Sequence, residues 1–351
     1  MTKTLLITSI SEGAGKTAVL AALGQIASEQ DKSVGYMKPL GTRLRSPAGK
    51  TLDEDPLLVR ELLNLDAAAD QMEPVVYSPS FIKEVIRGRV DIDSLHDEIR
   101  TAYDDIASGT DITLIEGGGS LATGGIANLT DQDVADLLSA DVILITEYDK
   151  PADLDELLYA AETLDDRLAG VLFNRVSPVV EEELKTEVLP FLENQDIPVL
   201  GILPRVSDLA GVSVSELSSE LGANELTTAG KDRTVEQFLV GAMGADAALK
   251  HFRRAQNAAV IVGGDRSDVH TTAIEAPGVS CLILTGAHRP ADAVLRKANQ
   301  HEVPMLLVSE DTLTAVERTE SIIHEGRTRD EQTIIRMKEL LHDHIPIDRL
   351  L

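Results

Sequence analysis

The sequence predicts an α/β protein: a doubly wound parallel sheet, then a second and smaller α/β domain. Three observations carry this. Short continuous apolar runs alternate with stretches of helical periodicity, the signature of strands buried on both faces and joined by crossover helices. A polar, small-residue stretch from Asp208 to about Gly230 interrupts that alternation, which then resumes. The length, 351 residues, also exceeds what one hydrophobic core usually organises.

Taken in order, TLLITS from Thr4 to Ser9 reads as a buried strand, followed by a glycine-bearing loop. A helix over 16–29 comes next, with Val19, Leu20, Leu23, Ile26 and Ala27 at helical spacing. A second strand covers 34–38. Asp55-Pro56 reads as N-cap and first-turn proline of a helix whose apolar face is Leu57, Leu58, Leu62 and Leu63. Leu95, Ile99, Tyr103 and Ile106 mark another helix, and strands recur at 112–115, 142–146, 170–173 and 199–203. After a short helix at 213–220, strands at 258–262, 281–285 and 305–308 begin the second alternation. Two of them run into glycine turns, Gly263-Gly264 and Gly286. The expected organisation is therefore 1–208, 209–325, and a charged helical tail over 326–351 that serves as a strut between domains or subunits.

Composition narrows the function. The chain carries 59 acidic and 32 basic residues, a formal charge of -27, and 43% hydrophobic residues, enough apolar material to exclude wholesale disorder. That charge argues against duplex nucleic acid, and 3% aromatics without Trp argue against base-stacking platforms. Cys281 is the only cysteine, which excludes an internal disulfide; within VSCLILTG it reads as an inert core thiol. No apolar run reaches membrane-spanning length and no signal-peptide pattern opens the chain, so a soluble cytoplasmic protein is expected. Spread carboxylates, few aromatics and twelve Lys against twenty Arg resemble proteins of salt-in halophiles, haloarchaea especially; an acidic mesophilic protein is the alternative. From 32 to 50 the pattern inverts: Lys32, Lys38, Arg43, Arg45 and Lys50 occur without an acid. That suggests an anionic ligand nearby, or a solvated loop.

SISEGAGKT, residues 9–17, lies between a strand and a helix, the context a Walker A loop requires. Backbone N–H groups of Gly13, Ala14, Gly15 and Lys16 would converge on a phosphate, Lys16 would reach the outer phosphates, and the Thr17 hydroxyl would bind Mg²⁺. The strict pattern wants glycine where Ile10 stands; starting at Ser9 makes the loop one residue longer. A purely structural turn is the competing reading.

SISEGAGKT, VGYMKPLGT, LIEGGGSLATGG and GVLFNRV, in that order, resemble the dethiobiotin-synthetase branch of P-loop proteins, close to the cobyrinic acid synthase amidotransferases. The resemblance runs from Thr4 to about Pro204. LVGAMGADAALKHF, AVIVGGDRSDVHTTAI, LILTGAHRPADAVL and VPMLLVSEDTLTAVERTESI are similar to the DRTGG domain. That order is found in the N-terminal part of long bacterial phosphate acetyltransferases, and alone in archaeal proteins of the phosphotransacetylase family. The chain ends where the acetyltransferase domain would begin, so it is not expected to be an acetyltransferase by itself.

The resemblance implies a P-loop NTPase fold with ATP and Mg²⁺ as cofactors. It implies Lys16 and Lys38 as the catalytic cations, and Gly13, Ala14, Gly15, Lys16, Thr17 and Asn174 as nucleotide contacts, Asn174 on the adenine edge. It implies Thr17, Asp55 and Glu116 as Mg²⁺ ligands. Beside these stand plainer uses: Lys38 facing solvent, Asp55 as a helix cap, Asn174 ending a strand. The family's acidic residue before the loop's Gly-Lys is Gly13 here, Thr-Asp-Thr is Ile10-Ser11-Glu12, and the serine pair after Lys-Pro is reduced to Gly41-Thr42. The nucleotide half is intact while the substrate half is not recognisable. The expectation is a MgATP-binding regulatory or sensor protein of acyl-CoA or acetate metabolism, assembled as a homo-oligomer. A small-molecule effector is placed at the DRTGG turns bearing Asp265, Arg266, His288 and Arg289, which also read as plain architecture. The alternative is an ATP-dependent ligase or carboxylase acting on a carboxylate or carbamate. His342, Asp343 and His344 read as solvated rather than metal-binding.

The acidity yields a first test. The screening distance lengthens from about 3 Å in molar salt to about 10 Å in decimolar salt, which exposes the carboxylates to one another. The melting temperature, followed by circular dichroism, is expected to climb steadily from dilute to multimolar KCl. A flat curve would remove the halophile reading.

Overall fold

Six parallel strands form the first sheet of the computed structural model. They are β1 (Lys3–Ser9), β2 (Val34–Met37), β3 (Ile112–Glu116), β4 (Asp141–Thr146), β5 (Leu168–Val176) and β6 (Val199–Pro204), in the spatial order β6-β5-β4-β1-β3-β2. The structure describes residues 2–42, 44–45, 52–206, 209, 211–325 and 331–351. The chain divides into two units, Met1–Arg205 with Thr328–Leu351, and Val206–Arg327.

β1 lies inside the sheet, and Leu5, Leu6 and Ile7 are buried, which is why its sequence is apolar on both faces. The chain lays β2 and β3 on one side of β1 and then β4 to β6 on the other. The order reverses at β1, and a ligand crevice opens at the C-terminal strand ends of such a switch point. There β1 passes through the glycine loop into α1 (Lys16–Glu29), where Val19, Leu20, Leu23 and Ile26 are buried.

α2 (Glu54–Leu62) starts two residues earlier than the sequence suggested. Asp53, in extended conformation, is its N-cap and accepts from the Asp55 amide at 2.9 Å. Asp55 already lies inside the first turn, so its carboxylate is not the cap. α3 (Ile92–Ala107) is capped by Asp91, and α4 (Asp131–Leu138) by a box formed between Thr130 and Asp133.

The tail does not stand apart as a strut. Its helix, Glu331–His344, belongs to the first unit and packs against α1 and β6. Ile334, Met337, Leu340 and Leu341 are buried, Lys338 pairs with Glu29, and the Lys32 ammonium donates to the Leu351 main-chain oxygen at 2.7 Å. An apolar stripe at helical spacing lies within that charged composition.

In the second unit the order is β7-β11-β10-β9-β8, from β7 (Asn224–Glu225), β8 (Gln237–Val240), β9 (Ala258–Gly263), β10 (Val279–Thr285) and β11 (Met305–Leu307). β7 is antiparallel to β11; the remaining pairs are parallel. Val260, Val262, Leu282 and Leu284 enter one core, and Ala259, Ile261, Cys281 and Ile283 the other. This two-residue alternation places helices on both faces. Cys281 is fully buried, which pushes its thiol up to about 12, in keeping with an inert residue. β7 and β8 fall in stretches the sequence left without strands: β7 is two residues long, and β8 is a four-residue edge strand with Gln237 and Val240 exposed.

A Cβ on Gly201 in β6 would collide with the main-chain oxygen of His344. Gly201→Ala is therefore expected to cost about 1–3 kcal/mol, as overpacking does. Hydrogen exchange should show amides over 334–341 losing protection first. Unchanged protection there would mean that the tail docks without this contact.

Candidate functional site

The site grows from the end of β1. Gly13 (φ 70°) and Gly15 (φ 99°) turn the loop through left-handed conformations that only glycine adopts without cost. Gly15 is the N-cap of α1 and offers no side chain, so the first-turn N–H groups of a 14-residue helix remain available to an anion. No acid lies in that turn to repel one. Lys16 is buried; its ammonium donates to Ser9 Oγ at 2.9 Å and to the Gly119 carbonyl. Burial lowers its pKa, opposed mainly by Asp131 and Glu116.

Gly119 is presented by the turn that follows β3. The turn is held by Asp131, whose carboxylate accepts from Thr8 Oγ1 and from the Gly118 amide at 3.0 Å. A Cβ on Gly117 would collide with that carboxylate, and burial raises the Asp131 pKa. Sequence reasoning passed over Asp131; the Thr130 cap marks the helix that carries it.

Beside the loop, buried charges interlock. Glu116 Oε1 accepts from Thr17 Oγ1 at 2.6 Å and Oε2 from the Tyr36 hydroxyl at 2.9 Å. Lys38, 2% exposed, lies 2.5 Å from Asp55 Oδ2, 2.8 Å from Asp53 Oδ2 and 3.9 Å from Glu116 Oε1. Burial opposes its charge, yet Asp55, Glu116 and Asp53 outweigh it and hold its pKa above the ordinary value. Asp53 also accepts from the Thr42 amide at 2.8 Å, and its own N–H donates to Glu73 Oε2 at 2.9 Å. Burial raises Glu116 to about 7, against the pull of Lys38, and raises Glu73 to about 7. Glu73 occupies the room left by Gly41, where a Cβ would collide with its carboxyl.

The structure thus brings Thr17, Asp55 and Glu116 together with Lys38 among them. It adds Asp53, Glu73 and Tyr36, which the sequence did not single out. Lys38 faces carboxylates and not solvent. Asn174 lies inside β5, not at its end. Its Nδ2 donates to the Ala14 carbonyl at 2.8 Å and its Oδ1 accepts from the Arg175 amide at 2.9 Å, so it braces the loop. Of the basic stretch, Lys38 reaches the site and Lys32 binds the tail, while Arg43, Lys50 and the side chain of Arg45 lie outside the described residues.

In the second unit the two glycine turns meet at neighbouring strand ends. A Cβ on Gly264 would collide with the His288 main-chain oxygen. Arg266 donates to the Met243 carbonyl at 3.1 Å, whereas Asp265, His288 and Arg289 are exposed. His342, Asp343 and His344 are exposed, and among the described residues no group of three or more His, Cys, Asp or Glu side chains is disposed to hold a metal.

Glu73 makes stability depend on pH. It keeps its proton to about 7 in the folded chain, against an ordinary value of 4.5. Its contribution is complete below the unfolded value and is lost as pH rises through the folded one. Glu73→Gln mimics the protonated form and retains an acceptor for Asp53. It should raise the melting temperature at about pH 8 and change little at about pH 5. Equal shifts at both values would exclude an ionising Glu73.

A family profile described as AAA domain, AAA_26, matches residues 3–213, and one described as DRTGG domain matches 216–322. The chain is similar to the phosphate acetyltransferase of Haemophilus influenzae, 22% identical over 99% of this chain and 52% of that protein. It is similar to the ATP-dependent dethiobiotin synthetase BioD of Methanocaldococcus jannaschii, 24% identical over 58% of this chain and 95% of that one. The chain spans about half the length of the phosphate acetyltransferases it matches. A crystal structure of the CBS and DRTGG domains of the regulatory region of Clostridium perfringens pyrophosphatase, complexed with the activator diadenosine tetraphosphate, covers 44% of this chain and 76% of that one. It is 19% identical, with a TM-score of 0.30. The resemblance read from the loop and the DRTGG-like segments is borne out by the profiles. A strand, a glycine loop and a helix at the switch point of a parallel sheet agree with the profile that covers them: the chain belongs to the AAA_26 family of AAA domains and carries a DRTGG domain after it.

Proposed function

We propose that the protein binds MgATP at residues 9–17 and acts as a regulator in acyl-CoA or acetate metabolism, nucleotide at the first unit setting the state of the DRTGG domain. The observation that carries this is the cradle itself. An uncapped helix N-terminus, two left-handed glycines and a buried ammonium converge where a phosphate would lie. Gly13, Ala14, Gly15 and Lys16 would hold the phosphates, and Asn174 keeps the loop in shape. The Thr17 hydroxyl and the Asp55 and Glu116 carboxylates are hard oxygen donors suited to Mg²⁺, and Lys38 neutralises them in the structure. MgATP would supply an activated phosphoryl group and a divalent charge. Relatedness to the N-terminal half of phosphate acetyltransferase and the attached DRTGG domain support the regulatory side. An effector at Asp265, Arg266, His288 and Arg289, a cytoplasmic location, a salt-rich cell and a homo-oligomer belong to the same proposal. Among the described residues no helix is long and apolar enough to cross a membrane.

A second reading, an ATP-dependent ligase or carboxylase, is favoured by one observation. Lys38 is a second buried ammonium within 3.9 Å of the carboxylate that holds Thr17, and paired cations stabilise phosphoryl transfer. Against it, Gly13 and Gly41 present no side chain to a second substrate.

Calorimetry should show MgATP binding that Lys16→Ala abolishes; equal affinity in the two proteins would sink the nucleotide reading. MgATP should also change hydrogen exchange at 258–268 or 285–290, as coupled sites require, and its hydrolysis should be slow because groups for a second substrate are missing around Lys38. If those segments are indifferent while a dicarboxylate, or a diamine with bicarbonate, drives brisk ADP release, the ligase replaces the regulator.

A further inference from the structure

We propose that Asp53 is a positioning residue that holds Lys38 away from the ligand of the phosphate loop, and thereby sets the affinity of the nucleotide site. The proposal rests on the MgATP reading. Lys38 lies one carboxylate from the loop: Glu116 Oε1, 3.9 Å from its ammonium, is the oxygen that accepts from Thr17 at 2.6 Å. The two nearer contacts point the ammonium toward the start of α2, at 2.5 Å from Asp55 and 2.8 Å from Asp53.

Asp53 is anchored at three points. Its Oδ1 accepts from the Asp55 amide at 2.9 Å, its Oδ2 from the Thr42 amide at 2.8 Å, and its own N–H is held by Glu73 at 2.9 Å. Its side chain is fully buried. A carboxylate fixed at the cap, at the loop after β2 and through its main chain cannot follow a departing lysine. An anion at the loop that takes up the Lys38 ammonium has to draw it away from Asp53, and its binding is then weakened by the fraction of molecules in which the ammonium is still held.

Asparagine and serine cap helices about as well as aspartate, so Asp53→Asn and Asp53→Ser remove the charge and keep the cap. Calorimetry with MgATP, wild type against both variants, reads the restraint. Binding in the variants is expected to be about tenfold tighter or more, the factor a mostly held lysine imposes. The Lys38 ammonium signal in nitrogen-15 NMR, sheltered in the wild type, should broaden in the variants before nucleotide is added. Tighter binding without that broadening is the effect of losing a nearby negative charge alone and overturns the restraint; a purely structural role would produce neither change. If wild type binds and the variants bind equally or more weakly, the restraint is overturned and the nucleotide reading stands. If no protein binds MgATP, that reading falls and takes the restraint with it. If one variant melts below the assay temperature the other carries the comparison; if both do, Asp53 is a structural cap and the proposal fails.

Discussion

The first unit is organised around the problem of keeping two ammonium groups, Lys16 and Lys38, charged almost out of water. Moving an ion into a protein interior costs several kcal/mol, and only well-placed partners return it. Lys16 is satisfied by a hydroxyl and a main-chain carbonyl, Lys38 by carboxylates. The partners come from distant parts of the chain: Ser9 from β1, Gly119 from the turn after β3, Asp53 and Asp55 from the start of α2. The fold that brings them together is thereby tied to the charge arrangement. Removing a single carboxylate from such a set is more damaging than replacing the whole set with apolar groups.

The same arrangement explains why the loop has a definite shape. Gly15 admits no side chain because Asn174 Nδ2 would lie 2.7 Å from its Cβ, and Asn174 in turn holds the Ala14 carbonyl. Gly117 yields its space to Asp131, which secures the turn that presents Gly119 to Lys16. Gly15, Gly41 and Gly117 are small because a neighbouring polar side chain needs the room. The phosphate cradle is therefore held from behind by side chains.

Much of this was legible. The apolar run before SISEGAGKT and the helical spacing after it place the loop at a strand end, and Lys38 and Glu116 were recognisable as ends of parallel strands. What escaped depends on contacts between residues far apart in sequence. Asp53 and Asp55 flank Glu54 just before Pro56, and local rules cannot say which is the cap; the extended backbone of Asp53 decides it. Glu73 matters because Gly41, thirty-two positions earlier, leaves it space. Asp131 looks like an ordinary first-turn acid until Thr8 and Gly118 are seen to converge on it. The tail was hidden by composition, its buried stripe of Ile334, Met337, Leu340 and Leu341 being interleaved with charged residues.

That tail makes the second unit an insertion. The polypeptide leaves the first unit after Arg205, builds the DRTGG domain, and returns to lay its final helix, Glu331–His344, along α1, the helix that follows the phosphate loop. The inserted domain is thereby joined to the first unit at both of its ends. Excising the insert by truncation would also strip Ile334, Met337, Leu340 and Leu341 from the first unit's core. A shortened chain would report the loss of that core together with the loss of the domain. Excision of 206–327 with a joining linker is the cut that keeps the two effects apart.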